Sequence, residues 1–177
     1  MTETPIYDFD TVSLFEALDA KRATLGLSWT GVATEIWEQS AVLNDRRHDH
    51  PISSATLTGM RTRRATSCQH ALFVLRWLGR APESFLSESH DASETELPSV
   101  GPDRRLRWDL TRLYEAMDKQ RREQGLTWRA LALTLRCTPS QLTGIRRARF
   151  ATGMSVAMRI TQWLHRPAAD FVDPSRW

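Results

Sequence analysis

Two runs of arginine are the places where this chain could do chemistry: Arg61, Arg63 and Arg64 in LTGMRTRRAT, and Arg146, Arg147 and Arg149 in LTGIRRARFAT. A guanidinium group is planar, permanently charged and forked, so it suits phosphate oxygens and carboxylates. That is recognition chemistry rather than bond-making chemistry. The chain shows no phosphate-cradling Gly loop, no metal-ligand set and no nucleophile motif, so neither an enzyme nor a cofactor is expected. His48, Asp49 and His50 come nearest to a metal site. A His-x-His pair without further spaced ligands reads as a solvated loop. His70 and His165 fall at helical positions and need no catalytic explanation.

The two arginine runs belong to a longer internal repeat, whose elements must position them. FDTVSLFEALDAKRATLGLSW from Phe9 matches WDLTRLYEAMDKQRREQGLTW from Trp108 at an offset of 99 residues. Around the Leu-Thr-Gly triplet the offset falls to 85, so the first copy holds 14 extra residues, and it then becomes 86. Thr66, Ala71, Trp77, Leu78, Arg80 and Phe85 recur as Thr152, Ala157, Trp163, Leu164, Arg166 and Phe171. Two copies of about 75–80 residues are too few for a solenoid and suit two small domains. The expected organisation is a first domain over residues 1–86 with an insertion at about 38–52, a polar linker over 87–105, and a second domain over 106–177. The linker reading rests on the Pro, Gly and Ser content of that stretch.

Within the second copy, Leu110, Leu113, Tyr114 and Met117 form one helical stripe. Gly125 stops that helix. Thr127 then caps a second one that turns Leu131, Ala132 and Leu135 inward. After a break at Arg136-Cys137-Thr138, Thr138 is an N-cap candidate and Pro139 suits the first helical position. Leu142 and Ile145 point inward from this third helix, and Met154, Ala157, Met158 and Trp163 mark a fourth. Trp29 and Trp128 read as half-buried packing, and Trp77 and Trp163 as core. No segment alternates with period two for long enough to be a strand, so the class is all-α.

Two short helices separated by a tight break form a helix-turn-helix. With Ala132, Leu142 and Ile145 at its small and inward positions, this segment resembles the lambda-repressor-like (Cro/repressor-type) helix-turn-helix family. WLGRAPESF and WLHRPAADF also look like the ends of such domains in uncharacterised bacterial regulators. The resemblance covers most of both copies and implies a tandem, two-domain all-α protein. The chain departs from the family at the turn, where the usual Gly is Arg136 in the second copy. In the first copy it is Trp37, followed by the insertion.

The resemblance also implies what the third helix does: it enters the DNA major groove while neighbouring residues meet phosphates. The base-facing candidates become Pro139, Ser140, Gln141, Thr143 and Gly144 in the second copy, and Ser54, Ala55, Thr58 and Gly59 in the first. Gln141 is the most informative, since Gln can pair bidentately with adenine. Arg129, Arg146, Arg147 and Arg149, with Arg61, Arg63 and Arg64, become phosphate contacts. A Gly inside a helix costs about 0.8–1 kcal/mol relative to Ala. Close approach to DNA and tight helix packing are both open explanations of Gly59 and Gly144.

Charge separates the copies. Residues 1–100 carry 9 Lys/Arg against 14 Asp/Glu, net −5, and residues 101–177 carry 15 against 7, net +8, which together give the overall +3. A basic half beside an acidic half points to different partners. The expected function is a sequence-specific, double-stranded-DNA-binding transcriptional regulator, a repressor with two recognition helices in one chain. The alternative is a protein-interaction module in which at least the first copy no longer reads DNA. The acidic first domain is then a candidate for a protein partner or for self-association, including docking on the basic copy. No apolar run reaches the roughly 20 residues of a membrane span, and MTETPIYDFD lacks the apolar core of a signal peptide. Cys68 and Cys137 lack ligand spacing and read as small buried hydrophobes in a reducing compartment. A cytoplasmic location without membrane association is therefore expected.

Overall fold

The computed structural model describes residues 5–88, 95–147 and 152–176. The chain is mostly helical. Copy one contains α1 (Thr11–Thr24), α2 (Trp29–Glu38), α3 (Ala41–Arg47), α4 (Ser54–Arg63), α5 (Cys68–Leu78) and a 3-10 turn at Pro82–Phe85. Copy two contains β1 (Arg105–Trp108), α6 (Leu110–Glu123), α7 (Trp128–Thr134), α8 (Pro139–Gly144), α9 (Met154–Trp163), a 3-10 turn at Ala168–Phe171 and β2 (Val172–Ser175).

The helices start where side-chain oxygens can satisfy the first free N–H groups. Asp10 accepts from Ser13 N and Asp109 from Arg112 N, while Ser28 accepts from Gly31 N and Thr127 from Ala130 N. Leu14 and Leu18 of α1 are fully buried, as are Leu113 and Met117 of α6. Phe15 stacks on Trp29 at 5.3 Å and Tyr114 on Trp128 at 5.7 Å. Arg22 and Arg121 then cover the two indoles. Trp29 and Trp128 are thus half-buried packing residues, and Trp77 and Trp163 are buried.

Three expectations need correction. β1 and β2 form a two-stranded antiparallel sheet in which Trp108 faces Val172, so the second copy is not purely helical. Four-residue strands pair non-locally and leave no sequence period long enough to read. Trp37 is not a turn residue: α2 continues through it, and its indole N–H donates to Asp49 O at 3.3 Å. His165 lies beyond α9, at φ 54°, rather than in a helix. Cys68 is buried as expected, whereas Cys137 is only half-buried.

The stretch read as a linker is fastened down at its end. Leu43 N donates to Pro102 O at 3.1 Å, Ser40 Oγ to Arg104 O at 2.7 Å, and Arg76 Nη2 to Val100 O at 3.1 Å. Arg105 is buried; its Nη2 donates to Asn44 Oδ1 at 2.5 Å and Asp49 Oδ1 at 2.9 Å. The insertion in copy one, including α3, therefore holds the chain leading into copy two.

The two copies meet through equivalent residues. Cys68 N donates to Thr152 O at 2.8 Å, and Met154 N donates to Thr66 O at 2.9 Å. The offset of 86 relates Cys68 to Met154 and Thr66 to Thr152, so each copy offers the other the same donor and acceptor. Such an isologous contact is the signature of a two-fold axis. Past the opposite ends of α5 and α9, Ala168 N donates to Glu83 Oε1 at 2.7 Å. The helices therefore run side by side in the same direction, astride that axis. Each copy's leading segment also lies on the other copy's last helix. Gln69 of α5 donates to Leu106 O at 2.8 Å, while Gln162 of α9 exchanges bonds with the backbone of Tyr7 at 2.8 and 2.9 Å. One hydrophobic cluster runs through both copies, from Leu14 and Leu72 to Leu113 and Ile160.

Candidate nucleic-acid interface

α8 begins with a reciprocal cap. Thr138 Oγ1 accepts from Gln141 N at 3.2 Å, and Gln141 Oε1 accepts from Thr138 N at 2.8 Å. Pro139 occupies the first turn, where a missing N–H costs nothing. Leu142 and Ile145 are buried, and this fixes which face turns outward. Pro139, Ser140, Gln141 and Thr143 are exposed on that face, and Gly144 is half-buried. α4 repeats the design. Ser53 Oγ accepts from Thr56 N at 3.2 Å, and Leu57 and Met60 are buried. Ala55 and Thr58 are exposed, and Ser54 and Gly59 half-buried.

This geometry sharpens what each side chain can offer. Gln141 Oε1 already accepts from Thr138 N and from Thr138 Oγ1 at 3.3 Å, which uses both of its lone pairs, so bidentate pairing with adenine requires one of these bonds to open; in place, Gln141 presents its amide N–H pair. Thr143 Oγ1 donates to Pro139 O at 3.2 Å, and Thr58 Oγ1 donates to Ser54 O at 3.2 Å. Their methyls and oxygen lone pairs remain available. A Cβ on Gly144 would meet nothing within 4 Å, and the three atoms nearest to one on Gly59 all belong to the Arg63 guanidinium, the movable end of a flexible side chain. Neither glycine is required by helix packing.

Arg61, Arg63, Arg64, Arg129, Arg146 and Arg147 are all exposed. Among the described residues none of the six has a carboxylate within 4.0 Å, whereas Arg22, Arg112, Arg121, Arg159 and Arg166 are all paired. Arg149 lies outside the described residues. Arg64 caps the C-terminus of α4 in the left-handed region at φ 50°, and its charge helps lower the pKa of Asp10, behind the larger effect of the Ser13 N–H. Arg146 and Arg147 border an open groove of about 630 Å³ between α8 and β1, with Asp109 and Asp173 on its far side. The His70 pKa is lowered, first by burial of the ring and then by the charge of Arg63.

Sequence reasoning missed the residues that hold the α7–α8 turn. Arg136 is left-handed at φ 51°, and its Nη2 donates to Ile6 O at 2.7 Å. Arg159 of α9 donates to Arg136 O at 3.0 Å and to Asp8 Oδ1 at 2.8 Å. Asp8 thus clamps two arginines of the other copy, 128 and 151 residues away, and no local pattern announces it. Asp49 pairs with Arg105 and Arg47. Burial alone would raise its pKa, but these two guanidinium groups outweigh it and hold the pKa down. No group of three or more metal-ligating side chains occurs among the described residues, and none of their helices is long and apolar enough to cross a membrane.

No family model matches the chain, and no curated protein or solved structure matches it.

Proposed function

We propose that the chain is a tandem helix-turn-helix protein that binds double-stranded DNA sequence-specifically and regulates transcription, α4 and α8 being its recognition helices. The observation that carries this reading is the distribution of unpaired charge. Among the described residues, Arg61, Arg63, Arg64, Arg146 and Arg147, at the ends of the two outward-facing helices, have no carboxylate partner, while Arg22, Arg112, Arg121, Arg159 and Arg166 are tied into the fold. Arg61, Arg63, Arg64, Arg129, Arg146 and Arg147 serve phosphates, and the polar faces of α4 and α8 meet base edges. A regulator of this design acts as a repressor by occupying its site.

A competing role for the first copy is protein binding. What favours it is Arg63 lying back over Gly59, where a groove floor would have to approach.

The test is salt dependence on duplexes selected from a random pool. If Arg146 and Arg147 each neutralise one phosphate, R146Q/R147Q lowers the magnitude of the log K versus log salt slope by about 2. An unchanged slope removes these residues from the interface. The corresponding R61Q/R63Q variant decides whether the first copy touches DNA.

A further inference from the structure

The relation between the copies constrains what kind of DNA site the proposed reading requires. The bonds between Cys68 and Thr152 and between Met154 and Thr66 join equivalent residues reciprocally, so the copies are related by a local two-fold axis. α5 and α9 run along that axis, with the bridge at their N-terminal ends. α4 precedes that bridge directly: Arg63 ends the helix and Ser67 forms the bridge. α8 reaches the same end, because Ser140, Gln141 and Gly144 share a cleft with Gly153 and Val156. Both helices therefore sit at one end of the axis, where two heads can address one face of a duplex.

A two-fold axis perpendicular to DNA relates half-sites by inversion, whereas a translation would relate them as a direct repeat. The helices themselves are not identical. α4 begins SATLTG and α8 is PSQLTG, differing at three positions that are at least partly exposed.

We infer that one chain is a complete two-headed reader, whose ligand is a bipartite duplex site with inverted but non-identical halves, bound by a single chain in one orientation. This rests on α4 and α8 being recognition helices. Unlike two identical subunits, this chain gives its site a direction. The half-site centres must lie about one helical turn apart for both heads to reach the major groove on one face.

The test uses the full chain and a random duplex pool, with binding stoichiometry measured on the selected duplexes. Wild type is expected to select a two-part motif at one chain per duplex, and replacing either half should weaken binding at least about tenfold. Because the halves differ, their relative orientation becomes visible only when the helices are made alike. S54P/A55S/T56Q turns α4 into PSQLTG. The proline falls at a first helical position, and Gln at position 56 completes a reciprocal cap with Ser53. The selected motif should then become an inverted repeat of one half. A direct repeat overturns the inference, as does an unchanged motif or two chains per site. A one-part wild-type motif also overturns it, while leaving DNA reading by one head intact. No enrichment by wild type sinks the proposed function itself. Should the first variant fail to unfold cooperatively, P139S/S140A/Q141T makes α8 into SATLTG and must give the inverted repeat of the other half.

Discussion

Replacing Cys68 with proline isolates one strut of the two-fold bridge. Cys68 is the first residue of α5, where a proline removes no intrahelical bond. The preceding residue, Ser67, sits at φ −68° and ψ 153°, the extended region that a following proline demands. The side chains are of similar size, and the Cys68 carbonyl still accepts from the Trp108 indole at 3.0 Å. The thiol pKa is pushed up to about 12 by burial, so no thiolate chemistry is lost. What disappears is the N–H that donates to Thr152 O at 2.8 Å, and the proline Cδ that takes its place presses on that oxygen, so the bridge must part. Thr152 is 7% exposed, so its carbonyl has little water to turn to. Leaving such an acceptor unpaired costs about 1–3 kcal/mol. Proline recovers about 0.4–1 kcal/mol by restricting the unfolded chain. The two terms leave about 0–2.6 kcal/mol, and displacing Thr152 O adds to it, so a net loss of about 1 kcal/mol or more is expected. C68A keeps the N–H and is the reference, because both variants remove the sulfur. Urea titration followed by tryptophan fluorescence should place C68P below C68A by that amount. For a chain of this size each kcal/mol is about 2–4 °C in Tm. Equal stability of the two variants would refute the idea that the bridge holds the copies together.

Three further outcomes follow from the contacts outside the bridge. Asp8→Asn should cost about 0.5–1.5 kcal/mol at low salt, since Asp8 is half exposed and its two pairs are screened. The gap from wild type should close as salt rises, and a salt-independent gap would mean that charge pairing is not the cause. Burial and Arg63 lower the His70 pKa below its usual value near 6.5, so the fold favours the neutral ring. Its contribution is therefore complete above about pH 6.5 and is lost as pH falls through the folded-state value. His70→Gln should flatten the fall in urea midpoint over that interval, and parallel curves would remove His70 from the account. Asn44→Ala takes one partner from the buried Arg105 guanidinium and should cost about 1–3 kcal/mol in the same titration. No loss would show that α3 does not hold the strand leading into copy two.

Local information placed most of the helical framework. The stripe through Leu110, Leu113 and Met117 and the caps at Thr127 and Thr138 each depend on residues three or four apart, within reach of a periodicity argument. The outward position of Ser140 and Thr143 followed from the inward position of Leu142. What escaped was non-local. β1 exists because residues 172–175 lie beside it, and the sequence Arg105–Trp108 carries no sign of them. α3 has seven residues, too few for its period to stand out inside an insertion. The cap that engages Gln141 was visible as Thr-x-x-Gln, yet only coordinates put its Oε1 on Thr138 N. The contacts of the leading segments were hidden altogether, because Asp8 meets Arg159 only after both copies have folded.

The reciprocal bonds at Thr66, Cys68, Thr152 and Met154 lie within one covalent chain, and this changes how the assembly responds to its own abundance. A two-fold pair built from separate subunits falls apart on dilution, and its pair population grows with the square of subunit concentration when scarce. Here both halves are made together and in equal number. The paired form exists at any expression level, and whatever the pair binds is occupied in direct proportion to the number of chains. Equivalence of the halves is also no longer enforced, so copy one could turn acidic while copy two turned basic without disturbing the contact they share.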